Sequence, residues 1–139
     1  KKDLLITAGG ENIAPQLIEG QLKSIPVIAQ AVVVGDRRKY LAALLTLDPE
    51  KVSEEAKAAG SAATNVDEAA TCETFHAHLN AQVEEVNKTL ARVQTIKRFV
   101  IVPGEFTIEG GELTPTMKIK RKVIREKYAT EIAGLYPDA

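Results

Sequence analysis

Hydrophobic positions divide the chain into strands and helices with different periods. Two almost continuous apolar runs, Val27–Val34 and Leu41–Leu47, are separated by the short polar segment Asp36–Lys39. Continuous apolar character over this length is typical of strands that are buried on both faces. The short connection favours an antiparallel pair. A third apolar run, Ile96–Val102, predicts one further strand of the same core.

Helices are predicted before, between and after these strands. Pro15 suits the first turn of a helix that runs to about Lys23, because the missing N–H of proline costs nothing there. Apolar residues at helical spacing predict a long helix over Cys72–Arg92; they are Phe75, Leu79, Val83, Val86 and Leu90. The other helices are predicted over Glu50–Ala59, Val66–Ala70 and Lys118–Ala133.

Paired glycines predict a hairpin near each end of the chain, since glycine adopts positive φ angles at little steric cost. Gly9-Gly10 joins Leu4–Thr7 to Glu11–Ala14, and Gly110-Gly111 joins Phe106–Ile108 to Glu112–Thr114. We therefore expect an α+β fold. It has a small mixed central sheet of about three strands, flanked by helices, with N-terminal and C-terminal β-hairpins.

Length and composition indicate one globular domain. A chain of 139 residues supports one compact core, and a net charge of -1 argues against a surface that coats nucleic acid. The single cysteine, Cys72, excludes an internal disulfide and suits a reducing compartment. The sequence opens at Lys1 directly before an apolar run, so we expect a piece of a longer protein.

A cluster of basic residues near the C-terminus is the clearest segregation of charge. It consists of Lys118, Lys120, Arg121, Lys122, Arg125 and Lys127. Such a cluster can bind nucleic acid or an anionic membrane, but a solvated outer face is the favoured interpretation of a short basic run. Lys118 follows a rigid Thr-Pro-Thr turn and is suited to neutralising a phosphate or carboxylate oxygen. On spacing alone, however, an ordinary exposed lysine at the start of a helix is favoured.

The remaining candidate residues are expected to be structural. His76 and His78 are two residues apart, so on a helix they face different sides and make a poor metal pair. Cys72 has no neighbouring base, and we expect no metal site. The glycine-rich segment Thr7–Asn12 lacks the spacing of a phosphate-binding loop.

Two motifs at opposite ends of the chain together resemble the adenylate-forming (AMP-binding) superfamily, which includes acyl-CoA synthetases, luciferases and peptide-synthetase adenylation domains. Residues 1–15, Lys-Lys-Asp-Leu-Leu-Ile-Thr-Ala-Gly-Gly-Glu-Asn-Ile-Ala-Pro, resemble its hinge and glycine hairpin. Residues 113–118, Leu-Thr-Pro-Thr-Met-Lys, resemble its catalytic-lysine motif, with Met117 where many members have glycine. Residues 36–41, 96–99 and 105–109 resemble the long-chain and very-long-chain subgroup.

This resemblance implies that residues 1–139 are a single C-terminal lid domain of a larger long-chain fatty acid–CoA ligase, inactive by itself. The parent would activate a fatty acid with ATP to an acyl-adenylate and transfer the acyl group to CoA, rotating the lid between half-reactions. Lys118 would be the catalytic residue and Lys2 the hinge. The CoA-binding residues would be Ala8, Gly9 and Gly10 along the pantetheine arm, while charge and approximate position alone suggest Lys88 and Arg38 as contacts for the CoA phosphates.

The full-length enzyme would use ATP, Mg²⁺ and CoA, with none bound tightly to this chain. Its partners would be the N-terminal adenylation domain of the same polypeptide and the three substrates, without nucleic acid. We expect a cytoplasmic enzyme, with peripheral membrane association as a second location. Two alternatives stay open: an adenylating enzyme of the fatty acyl-AMP ligase type that loads a carrier protein, and a non-catalytic module that binds through its basic C-terminal helix.

Overall fold

The computed structural model describes residues 4–137, which form a mixed α/β domain. It contains a three-stranded sheet, a two-stranded sheet and six α-helices. In chain order the elements are β1 (Leu5–Ile6), β2 (Asn12–Ile13), α1 (Pro15–Leu22), β3 (Ile28–Val34), β4 (Leu41–Leu47), α2 (Val52–Ala59), α3 (Val66–Ala70), α4 (Glu73–Asn87), β5 (Ile96–Ile101), α5 (Arg121–Lys127) and α6 (Ala129–Gly134).

The three-stranded sheet has the order β3-β4-β5, with β4 in the centre. Strands β3 and β4 pair antiparallel, with Val32 opposite Leu44, whereas β4 and β5 pair parallel. Every residue of β4 is buried, because both faces of the sheet are covered. The antiparallel pair, the third strand and the mixed sheet predicted from the apolar runs are confirmed.

Alternate residues of β4 face two separate hydrophobic cores. Leu41, Ala43, Leu45 and Leu47 belong to the core that is closed mainly by α1, α2 and α4. Ala42 and Leu44 belong to the second core, which contains Phe106, Leu113, Ile124, Leu135 and Tyr136. This second core joins the C-terminal segment to the sheet, and the segment carries Lys118.

The prediction of a C-terminal hairpin around Gly110-Gly111 is wrong. No strand pair forms between Phe106–Ile108 and Glu112–Thr114 within the described part of the chain. A turn forms instead, in which the buried carboxylate of Glu112 accepts the N–H of Thr107 at 2.9 Å. The bridge that does form lies further along and pairs Leu113 with Ile119 antiparallel.

Two predicted helices are shorter than expected. The long helix ends at Asn87, whose side chain turns to the start of β5 and bonds both the N–H and the C=O of Ile96 at 2.9 Å. The last helix begins at Arg121 and is divided at Tyr128, which has φ −110° and ψ 28°. Lys118 therefore lies in a loop, three residues before α5.

Within residues 4–137, none of the helices is long and apolar enough to cross a bilayer.

Candidate functional site

Lys118 closes a tight loop, Thr114–Lys118, that projects from the second core; we call it the lysine loop. The N–H of Thr114 donates to the Lys118 carbonyl at 2.8 Å, and the N–H of Lys118 donates to Thr114 Oγ1 at 3.0 Å. Met117 has φ +67°, a left-handed conformation that glycine adopts with less strain. Glycine at position 117 would relieve this strain. Hydrogen bonds within the loop close it, and its Lys118 side chain is exposed.

Glu112 holds the two ends of the lysine loop together. Its backbone carbonyl accepts the N–H of Lys120 at 2.8 Å, beside the Leu113–Ile119 bridge. Its carboxylate is buried and forms an ion pair with Lys127 of α5. Burial by itself would raise the pKa of Glu112, but hydrogen bonds from Lys127 and from the N–H of Thr107 outweigh it and lower the pKa. The same ion pair raises the pKa of Lys127.

Replacing Glu112 with glutamine is expected to destabilise the domain by about 1–3 kcal/mol at neutral pH, because a buried charge-assisted hydrogen bond is lost. A carboxylate whose folded pKa is lowered stabilises the fold above its unfolded pKa of about 4.3 and loses this contribution as the pH falls through the folded value. The difference between the two proteins should therefore shrink below about pH 4. Urea denaturation at several pH values measures this difference in the free energy of unfolding.

Glu109→Gln is the matched control, since Glu109 is exposed in the same segment. It should change the free energy of unfolding by less than about 0.5 kcal/mol. A Glu112→Gln difference that persisted undiminished at acid pH would contradict the assignment to an ionised carboxylate.

A second buried carboxylate, Glu19 of α1, anchors the residues that follow the lysine loop. Arg121 donates to Glu19 through both terminal nitrogens, with N···O distances of 2.6 and 2.7 Å. The pair borders a groove of about 520 Å³. This groove is lined by Gln16, Glu19 and Gly20 of α1, by Lys23 just after it, by Gln30 and Ala31 of β3, and by Thr114, Met117, Lys118, Ile119 and Arg121. Lys118 thus borders a concave surface on the domain.

The glycine hairpin, residues 7–11 between β1 and β2, forms as predicted. The N–H of Gly10 donates to the Thr7 carbonyl at 2.9 Å, and Gly10 has φ +90°, which suits glycine. A Cβ on Gly9 would lie 2.9 Å from the Glu11 carboxylate, the far end of a flexible exposed side chain. The N–H of Ala8 donates to the Arg38 carbonyl at 2.9 Å, which fastens the hairpin to the β3–β4 turn.

The other proposed CoA contacts and the hinge have different surroundings. The guanidinium carbon of Arg38 lies 4.6 Å from the ring centre of Tyr136, and Lys88, at the end of α4, is exposed and pairs with Glu85 at 2.9 Å. Burial of Tyr136 raises its pKa to about 12, and its hydroxyl donates to the Tyr40 carbonyl at 3.0 Å. The hinge residue, Lys2, lies outside the described residues. The roles of Arg38, Lys88 and Lys2 stay predictions.

A small basic concavity of about 240 Å³ adjoins the glycine hairpin. Thr7 and Glu11 of the hairpin form one side, and Lys39, Arg92 and Lys97 contribute its cations. Different residues line this concavity and the groove beside Lys118. The lysine loop and the glycine hairpin therefore border separate surfaces of one domain.

The histidines and the cysteine have local partners. His78 Nε2 lies 2.6 Å from Glu55 Oε2, and the His76 ring stacks on Phe99 with centroids 4.3 Å apart. A hydrogen bond with Ser61 lowers the pKa of the Cys72 thiol. In the stretch from 4 to 137, no group of three or more His, Cys, Asp and Glu side chains is arranged to hold a metal ion.

Sequence reasoning missed Glu19 and Glu112, the two buried carboxylates on either side of the lysine loop. A signal for Glu19 was available, because it lies four residues after Pro15 and three before Leu22, on the inner stripe of α1. A charged residue on such a stripe is almost never fully buried without a partner. The sequence contains many cations, however, and the partner of Glu19 is 102 residues away.

Solved structures share this fold. The adenylation domain of a carboxylate reductase from Mycobacterium chelonae superposes with a TM-score of 0.77 at 24% identity, over 97% of this chain and 19% of that one. A fatty acyl CoA synthetase of Mycobacterium tuberculosis superposes with a TM-score of 0.56 at 22% identity, over 93% of this chain and 20% of that one.

Sequence relatives give a closer match. The long-chain-fatty-acid–CoA ligase FadD15 of Mycobacterium tuberculosis is 43% identical over 98% of this chain, and the ligase ACSBG2 of Gallus gallus is 40% identical over 99%. The chain spans only 23% and 20% of these two proteins. The family model described as AMP-binding enzyme C-terminal domain matches residues 2–139. The predicted resemblance is confirmed, and the chain belongs to the AMP-binding enzyme C-terminal domain family.

Proposed function

We propose that this chain is the C-terminal lid domain of an ATP-dependent long-chain fatty acid–CoA ligase. Relatives at 43% and 40% identity carry that name, and the chain spans about a fifth of the ACSBG2 ligase. The rest of the parent would form the N-terminal adenylation domain, which would bind the fatty acid and most of the nucleotide. It would also supply the Mg²⁺ ligands. The parent would be cytoplasmic or peripheral on a membrane.

In the first half-reaction, a carboxylate oxygen of the fatty acid attacks the α-phosphorus of ATP. An acyl–O–P bond forms, the bond to the leaving oxygen breaks, and pyrophosphate departs. Negative charge shifts among the oxygens of the carboxylate and the α-phosphate in the transition state. The Lys118 ammonium would be held between them, where a preorganised cation stabilises the transition state more than the ground state.

In the second half-reaction, the CoA sulfur attacks the acyl carbon, the thioester forms, AMP leaves with its electron pair, and the thiol proton passes to solvent. The lid would rotate so that Lys118 withdraws and the glycine hairpin enters the active site. Ala8, Gly9 and Gly10 present little side-chain bulk there, so the pantetheine arm could pass close to their backbone.

One observation carries this proposal. An exposed lysine on a hydrogen-bonded loop and an accessible glycine hairpin border different concave surfaces of the same small domain. A rigid body that offers one surface to each half-reaction is what a rotating lid requires.

The basic C-terminal cluster gives less support to a freestanding binding module. Arg121 and Lys127, two of its six members, form ion pairs with the buried carboxylates Glu19 and Glu112. These two cations are paired within the domain and present less charge to an external anion.

The choice of acyl acceptor tests the proposal directly. The full-length enzyme, given a long-chain fatty acid and ATP, is expected to form acyl-CoA with free CoA and to leave a phosphopantetheinylated carrier protein unloaded. Mass spectrometry of both acceptors distinguishes these products. Loading of the carrier protein in preference to CoA would favour the fatty acyl-AMP ligase alternative. The isolated chain is the negative control, and acyl-adenylate formed by it alone would contradict the proposed division of labour.

A further inference from the structure

We propose that Glu19 is a positioning residue for Lys118, which it aligns through its ion pair with Arg121. This inference rests on the proposed role of Lys118 in adenylation. It assigns to the pair the task of fixing the lysine loop at one angle to the body of the lid.

Glu19 joins three elements at one buried carboxylate. Both oxygens accept a hydrogen bond from Arg121, at 2.6 and 2.7 Å, and Oε2 also accepts the backbone N–H of Val33 in β3 at 2.8 Å. The side chains of Glu19 and Arg121 are only 6% and 9% exposed. A planar guanidinium that meets a carboxylate through two parallel bonds has a defined direction as well as a charge. The start of α5 is therefore held in a fixed direction against α1 and the sheet.

Lys118 is connected to this anchor by a short and ordered path. Arg121 is the first residue of α5 and follows Lys118 by three positions. Between them, Ile119 pairs with Leu113, and the N–H of Lys120 donates to the Glu112 carbonyl. Because the lysine loop is closed by its own hydrogen bonds, it moves as a unit with its base. A change in the direction of Arg121 would thus be transmitted to the Lys118 ammonium.

The alternative is that the pair only stabilises the fold. A buried ion pair is a weak means to that end, because the cost of removing both charges from water offsets much of their attraction. The geometry gives the pair a second task. It lies beside the groove that Lys118 borders, and Glu19 and Arg121 line that groove together with Lys118.

The test uses Glu19→Gln in the full-length ligase, with the two half-reactions measured separately. Glutamine keeps the shape of Glu19 but cannot accept both guanidinium N–H groups as a carboxylate does. We expect kcat for adenylation to fall about 10- to 100-fold, since a displacement of about 1 Å can cost about 100-fold. The KM values for ATP and fatty acid, and the rate of thioester formation from supplied acyl-adenylate, should stay within about twofold.

Arg121→Lys is a second variant that retains the positive charge but loses the bidentate hydrogen bonding to Glu19. It should show the same selective loss of adenylation, to a smaller degree. Glu55→Gln is the matched control, because Glu55 also holds a cross-helix hydrogen bond, to His78 at 2.6 Å. We expect it to leave both half-reactions unchanged.

Combination with Lys118→Ala separates this inference from the proposed function. If Glu19 acts through Lys118, Glu19→Gln should cause no further loss of adenylation in the Lys118→Ala protein. Independent, multiplicative losses would overturn the inference, as would full adenylation by Glu19→Gln alone. Equal losses in both half-reactions for Glu19→Gln and Arg121→Lys would show that the pair has a purely structural role, and this result would also overturn the inference. A different result would contradict the proposed function itself: the Lys118→Ala protein would carry out adenylation at the full rate.

Discussion

Replacing Lys118 with alanine in the full-length ligase is expected to lower the rate of adenylation about 100- to 1000-fold, the cost of removing one preorganised donor from a developing charge. Thioester formation from supplied acyl-adenylate should proceed at nearly the original rate, because Lys118 would be withdrawn during that step. Pyrophosphate exchange measures the first half-reaction, and release of AMP in the presence of CoA measures the second.

The Lys118→Ala result needs a control for the loss of a cation in this basic region. Lys122→Ala removes an exposed positive charge from α5 and should leave both half-reactions unchanged. Losses of similar size in the two half-reactions of Lys118→Ala would refute the assignment of Lys118 to adenylation. The lysine loop is exposed and its internal hydrogen bonds involve Thr114 and the backbone, so alanine should not unfold it.

Replacing Gly9 with leucine is expected to have the opposite effect on the two half-reactions. Adenylation should continue, whereas thioester formation should fall about 100-fold, because a bulky side chain would displace the pantetheine arm from its path. The fold should tolerate the change, since a Cβ on Gly9 would meet mainly the exposed carboxylate of Glu11, which can move aside at the cost of its hydrogen bond from Thr7 Oγ1. Gly9→Ala should give an intermediate loss.

Gly134→Leu makes the same chemical change where a Cβ would meet open space, at the end of α6. We expect it to leave both half-reactions intact. Gly10 is less suitable for this test, because its φ of +90° means that any side chain would strain the turn. Loss of adenylation in Gly9→Leu, or full thioester formation, would be evidence against a CoA passage along the hairpin.

Opposite selectivity of the two variants would separate the functions of two surfaces on one lid. Lys118 would serve only the attack on ATP, and the glycine hairpin only the attack by CoA. Such a division also explains why the chain places them at the edges of different concavities. A lid that used a single surface would require both groups to occupy the active site together.

The strands, the N-terminal hairpin and the exposed position of Lys118 after a turn could be predicted from the sequence. Leu41–Leu47 has no polar alternation apart from Thr46, and a strand of that composition must be buried on both faces. The hairpin at Gly9 follows from local backbone preferences. The lysine loop follows from the motif at residues 113–118, since proline and two threonines favour a turn regardless of what packs around it.

The C-terminal third could not be predicted in the same way. Ile124, Tyr128 and Ile132 keep helical spacing across the break between α5 and α6, because both short helices pack on the same core. Periodicity reports which side is buried, and it does not report a change of helix axis. The glycine pair at Gly110 signalled a hairpin, but the Glu112 carboxylate bonded Thr107 and formed a turn instead.

The sequence by itself determined the strands, the glycine hairpin and the family, because each depends on residues that are adjacent or regularly spaced. Only the tertiary structure decided which side of the sheet carries the lysine loop, where the last helix breaks, and that Arg121 meets Glu19 across 102 positions. The physical reason is that a buried charge takes whichever opposite charge the folded backbone brings within about 3 Å, and that choice leaves no local pattern.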